Sequence, residues 1–334
     1  MSAASHSGTV RRGLHTFVPA LATRISGLRK RSSLAASMCI AFSLVCATRV
    51  AEAQQSPVPT SNDPTDPYAL PDAPAPPTLP DLTHRGLAAS LDSTFASIRK
   101  NQRPDGAEGG SSFGWTERFE VEHALALRRW YLGLGEQLAL GRTASDRFLL
   151  VAGNPEIWGR ALWASQAGLA YGGGLGLVVP VVHHSASGTD VARSIQAVRP
   201  WDYVHFVNDD LILRPFVDVR NIDGRIILQL RQGIDWDQAS GALTSRTTFY
   251  IGYRPVDLLG LGLEAWEVYL IRAAESKDDG RAAYAMSPSV RIMTRVVQPA
   301  ISFLLPIDRP LFDAIEGFWA VRLSMSVVIE PSPR

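Results

Sequence analysis

Hydrophobic and polar residues alternate with a period of two along the segment Leu211–Trp236. Its first half places Leu211, Leu213, Pro215, Val217 and Val219 on one face and Ile212, Arg214, Phe216, Asp218 and Arg220 on the other. Its second half sets Ile226, Leu228, Leu230, Ile234 and Trp236 against Arg225, Gln229, Arg231, Gly233 and Asp235, and Gln232 breaks the apolar row. Asp223-Gly224 between the halves is a strong signal for a tight turn. The pattern therefore predicts a β-hairpin of two-faced strands.

Each predicted strand is about 11 residues long, roughly twice the usual length in soluble proteins and about the length that a tilted strand needs to cross a bilayer. In a soluble protein the apolar row would pack against a core and the charged row would face water. In a membrane barrel the apolar row would face lipid and the charged row the lumen. Alternation alone is compatible with both, so the number of strands and the positions of the aromatic residues decide.

The same alternation recurs in eleven segments that continue to the end of the chain. They cover residues 87–99, 116–127, 131–140, 168–181, 211–220, 225–236, 246–254, 259–271, 282–293, 297–305 and 318–330. A single-chain barrel with both ends on one side needs an even number, so one strand is missing from this set. The best candidate for it is Trp201–Val207, and Arg147–Ala152 is the second. We therefore predict an all-β fold, an antiparallel up-and-down transmembrane β-barrel of about 12 strands, with about 10 as the alternative.

Aromatic residues lie near the ends of the predicted apolar faces. The connections alternate between tight turns and longer loops, as in outer-membrane barrels with short periplasmic turns. If the tight turns are periplasmic, Trp236, Tyr269, Tyr284 and Trp319 lie near the outer end of their strands, and Trp130 and Tyr253 near the inner end. Two aromatic girdles are typical of proteins that cross a lipid bilayer.

The N-terminal region has the features of an export signal. Arg24, Arg29, Lys30 and Arg31 precede the apolar run Leu34–Ala47, and Ala51-Glu52-Ala53 offers a cleavage site between small residues. Residues 1–53 are thus a predicted signal peptide, the proline-rich residues 54–83 a periplasmic linker, and residues 84–334 the barrel domain. Both cysteines, Cys39 and Cys46, lie in the removed segment, so the mature chain would have no disulfide and no thiol ligand.

With this signal, linker and run of alternating strands, the chain resembles bacterial outer-membrane β-barrel proteins in general, over about residues 85–330. The resemblance implies the outer membrane of a Gram-negative bacterium as the location, after cleavage near Ala53. It also implies outer-membrane lipid and the export and barrel-assembly machinery as partners. Such barrels commonly end in an aromatic residue, whereas here Ile329-Glu330 and a Pro-Ser-Pro-Arg tail end the chain. The mature chain would carry 26 basic and 31 acidic residues, which argues against nucleic-acid binding.

Two motifs invite a catalytic or cofactor interpretation. The run Gly172-Gly173-Gly174-Leu175-Gly176 is similar to a phosphate-binding loop, but it lies within a strand pattern, so the glycines are better explained as room for neighbouring side chains. His183, His184 and Ser185 allow the hypothesis of a hydrolase at the barrel rim, although neighbours in sequence do not establish a catalytic geometry. Adjacent histidines also lack metal-ligand spacing. We expect neither a cofactor nor a metal.

The polar faces of the predicted strands form a charged row. Its arginines are Arg214, Arg220, Arg231, Arg246, Arg254, Arg291, Arg295 and Arg322, and its carboxylates are Glu120, Glu122, Asp218, Asp235, Glu264 and Glu330. One interpretation is a salt-bridged network that fills a narrow barrel, because buried charges must be paired. The other is a pore in which the excess of arginine favours anions.

The sequence thus favours a non-enzymatic outer-membrane β-barrel, either structural or a narrow anion-preferring channel. A first alternative is a barrel enzyme that acts on lipid or envelope substrates through residues 182–210. A second is a soluble periplasmic β-barrel whose apolar face binds an apolar ligand. The sequence leaves the oligomeric state open.

Overall fold

A computed structural model describes residues 86–100, 111–125, 129–142, 147–164, 169–272, 281–294, 296–307 and 315–329. The predicted signal peptide (1–53), the predicted linker (54–83), Arg295 and Glu330 lie outside the described residues. The strands are β1 (Leu87–Lys100), β2 (Ser111–Ala124), β3 (Trp130–Arg142), β4 (Phe148–Ala152), β5 (Glu156–Ala164), β6 (Leu169–Val178), β7 (Ile212–Asp223), β8 (Ile226–Asp237), β9 (Leu243–Val256), β10 (Leu259–Arg272), β11 (Arg281–Ile292), β12 (Val297–Pro306) and β13 (Ile315–Ile329). Helix α1 (Ala186–Val198) and a 3₁₀ helix (Pro200–Phe206) lie between β6 and β7.

Twelve of these strands form a closed antiparallel ring. Each strand pairs with its neighbour along the chain, and β1 pairs with β13 from Leu87 opposite Ile329 to Lys100 opposite Ile315. The exception is β4, which pairs only with β3 and lies outside the ring. The prediction of an all-β, 12-stranded barrel is therefore confirmed. Within the described ranges, no helix is both long and apolar enough to span a membrane.

The assignment of the twelfth strand from the sequence was wrong. Trp201–Val207 contributes no strand, because most of it belongs to the 3₁₀ helix, which begins at Pro200. Arg147–Ala152 does contain a strand, but it is β4. The missing barrel strand is β5, whose inward residues include Trp158 and Leu162. Large apolar side chains on both faces of β5 remove the contrast on which the period-two signal depends.

Strands β4 and β5 lie along the same edge of β3. β5 pairs with Trp130–Gly135 and β4 with Leu138–Arg142, while β2 occupies the other edge. Asn154 lies in the short connection between β4 and β5. Its side-chain oxygen accepts from the backbone N–H groups of Val181 (3.0 Å) and Val182 (2.9 Å), and its amide donates to the carbonyl of Val207 (2.7 Å). Asn154 thus holds both ends of the connection between β6 and β7.

The outward faces form an apolar belt, and the inward faces carry most of the charge. On β13, Trp319 is 57% exposed whereas Arg322 is fully buried. The predicted hairpin turn between β7 and β8 is present, with Gly224 in the left-handed region at φ 54°. The apolar belt is interrupted near the middle of β2 and β3, where Glu117 and Glu136 share the outward faces of Phe119 and Leu138.

Candidate functional site: the barrel interior

Residues 179–211, hereafter the inner segment, fold into the ring instead of away from it. Six of the seven residues of the 3₁₀ helix are buried. The side chains of the segment bond to inward-facing residues on β1, β2, β7 and β9, and its Trp201 stacks on Trp266 of β10. Contacts with strands on all sides of a closed ring place the segment within the lumen.

Arg199 anchors the inner segment to the first strand. Its guanidinium lies 3.3 Å from the carboxylate of Asp92, donates to Thr94 Oγ1 at 2.9 Å, and lies 2.7 Å from Asp202. Asp202 also pairs with Arg118 of β2. Burial alone would raise the pKa of Asp202, but Arg118 and Arg199 outweigh it and hold the pKa below its usual value. Asp202 therefore stays ionised and ties the segment to the wall.

Arg214 of β7 anchors the opposite side of the segment. It lies 2.6 Å from Glu156 of β5 and 2.9 Å from Asp235 of β8, and it donates to the backbone carbonyl of Trp201 at 3.3 Å. The Asp235 carboxylate also lies 2.7 Å from Nε of Arg246. These bonds join four wall strands, β5, β7, β8 and β9, to the 3₁₀ helix, so the segment is braced across the lumen.

The network continues across the junction of the first and last strands. Arg322 of β13 lies 2.6 Å from Asp92 of β1 and 3.2 Å from Glu264 of β10. Asp92 is thus shared by Arg322 and Arg199. Because a buried charge is costly unless it is paired, Asp92 stabilises both Arg199 and Arg322 and lies at the centre of the network that joins the inner segment to the ring closure.

Two further ion pairs occupy the half of the lumen nearer the tight turns. Arg160 of β5 lies 2.5 Å from Glu122 of β2, and the indole N–H of Trp158 donates to the same carboxylate at 2.7 Å. Arg231 binds both oxygens of Asp218, at 2.7 and 2.8 Å. Such two-point bonds fix orientation as well as charge.

The glycines of β6 make room for these side chains, as the sequence predicted. A Cβ on Gly176 would lie 2.4 Å from Oε1 of Glu156, and one on Gly174 would lie 2.6 Å from the ring of Phe216. Gly176 thus lets Glu156 reach Arg214. The interpretation of this run as a phosphate-binding loop has no support in the structure, since it lies within β6.

All ten candidate lumen-lining residues face the interior of the ring. Buried among them are Arg214, Asp218, Arg220, Asp235, Glu264, Arg291 and Arg322, while Arg231, Arg246 and Arg254 are partly exposed. The six candidate girdle residues, Trp130, Trp236, Tyr253, Tyr269, Tyr284 and Trp319, are exposed on the outward face.

The sequence interpretation missed the residues that position the inner segment. Asp92, Arg118, Glu156 and Arg160 lie on inward faces, and Arg199 and Asp202 lie in the segment itself. The alternation of β1 and β2 was sufficient to find Asp92 and Arg118. No local pattern marks Arg199 or Asp202, because their wall partners are 107 and 84 residues away.

The candidate catalytic residues at the rim do not form a triad. Ser185 Oγ accepts from the backbone N–H of Gly188 at 3.3 Å, in the first turn of α1. His183 Nδ1 lies 2.9 Å from Asp209, and both side chains are exposed. His184 is buried, and its ring packs beside the ring of Phe206. Ser185 therefore acts as a helix cap.

His205 is a buried histidine that makes the stability of the barrel depend on pH. Its Nδ1 lies 3.0 Å from the carbonyl of Asn154, and its Nε2 lies 3.3 Å from Arg214 and 3.5 Å from Glu156. Burial lowers the pKa of His205 to about 4, since the neighbouring Arg214 and Arg118 offset the attraction of Glu156 and Asp202. The ring is therefore neutral at pH 7, with Nδ1–H donating and Nε2 accepting.

We expect the barrel to lose stability as the pH falls from about 6.5 to about 4 through His205. Between these two pH values, His205 binds a proton in the unfolded chain but not in the folded one. Its contribution to the free energy of unfolding is therefore fully present above pH 6.5, the pKa in the unfolded chain, and is lost as the pH falls to about 4, the pKa in the folded barrel. Urea unfolding at pH 7 and pH 4.5, followed by tryptophan fluorescence, measures the loss. His205→Gln should lose less than the wild type, and an equal loss in both would contradict the assignment.

No protein-family model and no curated protein matches the chain. Among solved structures, an outer-membrane channel from Pseudomonas putida F1 is similar with a TM-score of 0.53 at 11% identity, over 75% of this chain and 97% of that chain. The NanC porin gives a TM-score of 0.47 at 10% identity, over 72% of this chain and all of its own length (100%). The first similarity establishes the fold. The chain has the architecture of outer-membrane β-barrel proteins, as the sequence predicted.

Proposed function

We propose that this protein is a narrow, non-enzymatic channel in the outer membrane of a Gram-negative bacterium. The observation that carries the proposal is the inner segment, a connection between two strands that folds into the lumen and is braced by Arg199, Asp202 and Arg214. A barrel whose only task is structural needs no such constriction, whereas a channel uses one to limit the size of its solutes.

We propose further that any preference for anions is slight. Arg214, Arg231, Arg246 and Arg322 each lie within 3.2 Å of a carboxylate. Paired charges largely cancel at the distance of a passing ion, so an excess of arginine in the sequence overstates the field in the lumen. Such a preference should weaken further as salt screens the remaining field.

The remaining parts of the proposal concern location and partners. The apolar outward belt and the six exposed aromatic residues support contact with outer-membrane lipid. Export with cleavage near Ala53, and insertion by the barrel-assembly machinery, complete the proposal. The role of Ser185 as a helix cap supports a non-enzymatic function. A soluble barrel with an internal apolar ligand site is disfavoured, because the apolar faces point outward.

Planar-bilayer recordings test the channel. We expect small discrete conductance steps from the wild type, and larger steps from the double variant Arg199→Ala/Asp202→Ala. The double variant removes the anchors of the inner segment to β1 and β2, and it keeps the net charge because it removes one cation and one anion. Arg322 still pairs with Asp92 and Arg118 with Glu120.

A matched control is Leu230→Ile, a conservative change on the outward face of β8, which should leave the steps unchanged. Absence of conductance from both the wild type and the double variant, with folded protein inserted in the bilayer, would leave a structural barrel.

A further inference from the structure

The last turn of the 3₁₀ helix packs against the wall beside the start of β5. The backbone N–H of Asn154 donates to the His205 carbonyl at 2.5 Å, and His205 Nδ1 donates to the Asn154 carbonyl at 3.0 Å. Val204 of the same turn belongs to an apolar cluster with Val178 of β6 and Ile212 of β7. These five residues, hereafter the helix seat, hold the inner segment against this side of the ring.

Both buried histidines of the described ranges lie in the inner segment at this place. The structure describes four histidines, of which His123 and His183 are exposed and His184 and His205 are only 6% and 1% exposed. Asn208 joins His184 to the chain that leaves the helix, because its side-chain oxygen accepts from the His184 backbone N–H at 2.9 Å. Histidine is the side chain that ordinarily changes charge in mild acid. Acidification therefore acts on the segment where it meets the wall.

The His205 ring belongs to the inner segment, whereas most of its charged neighbours belong to the wall. Its neutral Nε2 accepts from Arg214 of β7 at 3.3 Å and lies 3.5 Å from Glu156 of β5. Arg118 of β2 and Asp202 of the same helix complete the charged groups around it. A proton on Nε2 would replace the bond from Arg214 by contact between two cations. Glu156 already lies 2.6 Å from Arg214, so it cannot compensate without weakening that pair.

The His184 ring lies in equally dry surroundings. Its Nε2 is buried without a hydrogen-bond partner, and the ring packs beside Phe206 at 6.0 Å between centroids. The charged group that faces it is His183, whose protonated form repels a second charge. Burial lowers the pKa of both His184 and His205. Each ring therefore binds a proton more readily in water than in place.

This difference couples acid to the position of the 3₁₀ helix. For His205 the pKa is 6.5 in water and about 4 in the helix seat, so the seated form is favoured above pH 6.5 and loses that advantage as the pH falls to about 4. The ratio of displaced to seated helix should rise by about 50-fold between pH 7 and pH 4.5. Local displacement costs less free energy than unfolding of the ring, so it comes first.

We propose that the inner segment is a gate that acid releases: protonation of His205 and His184 displaces the 3₁₀ helix from the helix seat and widens the lumen beside β5 and β7. The inference rests on the channel function proposed above and adds its regulation. Wall strands β5 and β7 keep their pairing with β6 in both states, since the seat involves no bond of the barrel ladder. The ring therefore stays closed while the gate opens.

Cysteine labelling and conductance test the gate together. Both native cysteines lie in the predicted signal peptide, so Val204→Cys introduces a single thiol into the mature chain. Val204 is 0% exposed in the helix seat, and Val181 of the same segment is 51% exposed. The rate of labelling by a neutral thiosulfonate at Val204→Cys is divided by the rate at Val181→Cys, which cancels the effect of pH on the thiol. Planar-bilayer recordings of the wild type are made at pH 7 and pH 4.5.

We expect the divided rate to rise by about 50-fold from pH 7 to pH 4.5, and the conductance steps to grow over the same range. Adding His205→Gln should remove most of the rise, and adding His183→Gln, an exposed histidine of the same segment, should keep it. If His205→Gln does not fold, His184→Gln takes its place and should remove part of the rise.

A divided rate that stays constant in the wild type, or that rises equally with His205→Gln, would overturn the gate. Loss of the heat-modifiable folded band at pH 4.5 would also overturn it, because labelling would then report unfolding of the ring. Labelling that rises as expected, without conductance at either pH, would keep the acid displacement and overturn the channel function.

Discussion

Asp92→Ala is expected to destabilise the barrel by about 3–5 kcal/mol, the usual cost of removing one partner from a buried ion pair. Asp92 lies 2.6 Å from Arg322 and 3.3 Å from Arg199, and both arginines are fully buried. The variant leaves two cations with one anion fewer in a medium that solvates them poorly. Urea unfolding of the purified barrel in lipid vesicles, followed by tryptophan fluorescence, gives the free energy of unfolding.

The matched control removes the charged partners together. Asp92→Leu/Glu264→Gln/Arg322→Met replaces the buried cluster by uncharged residues, a change that is often neutral. Glu264 is included because it would otherwise lose Arg322, its buried partner. The variant leaves Arg199 paired with Asp202. It should therefore be more stable than Asp92→Ala. If the single and triple variants lose the same free energy, the cost does not come from unpaired charge.

Leu230→Arg is expected to prevent assembly or to cost about 2–4 kcal/mol, because its side chain lies on the outward face near the middle of β8, where an arginine would enter the hydrocarbon. Ile226→Arg, on the same face at the inner end of the same strand, should cost about 0–1 kcal/mol, because it lies near the membrane surface. Both native residues are exposed, at 40% and 44%. The heat-modifiable band shift on cold gel electrophoresis measures the folded fraction.

The comparison of the two arginine variants depends on depth alone, since the strand, the face and the introduced residue are the same. Equal folding of Leu230→Arg and Ile226→Arg would contradict the assignment of this face to lipid. In a soluble barrel both positions would face water and tolerate the change.

The sequence predicted most of the wall because strand parity is a local property. On β7 and β8 the outward row is apolar except at Gln232 and next to the turn, so the inward positions of Arg214, Asp218 and Arg231 follow from their place in the alternation. The prediction of strand orientation fails where an inward face carries a large apolar residue or an outward face carries a charge. β5 places Trp158 inside, and β2 and β3 place Glu117 and Glu136 outside, so neither hydrophobicity nor charge reveals the orientation of those strands.

The inner segment could not be predicted from the same pattern. Its anchors are long-range pairs, and the apolar residues of the 3₁₀ helix serve a core inside the ring, where a mixture of tryptophan, valine and phenylalanine fits either a strand or a helix. The structural role of Arg199 and Asp202 depends on their ion pairs with Asp92 and Arg118, which are close to them only in the folded ring. The arginine excess was visible in the sequence, and a salt-bridged network was one of its two interpretations, but the partner of each arginine could not be assigned.

The position of Asp92 has a consequence for the order of assembly. Neighbouring hairpins of the sheet join residues close in sequence, whereas Asp92 and Arg322 are 230 residues apart and meet only where the first strand joins the last. Before that junction forms, Arg322 cannot reach the carboxylate that it shares with Arg199. We therefore expect closure of the ring and completion of the network around the inner segment to be cooperative. The first strand along the chain therefore completes the network only when it meets the last one.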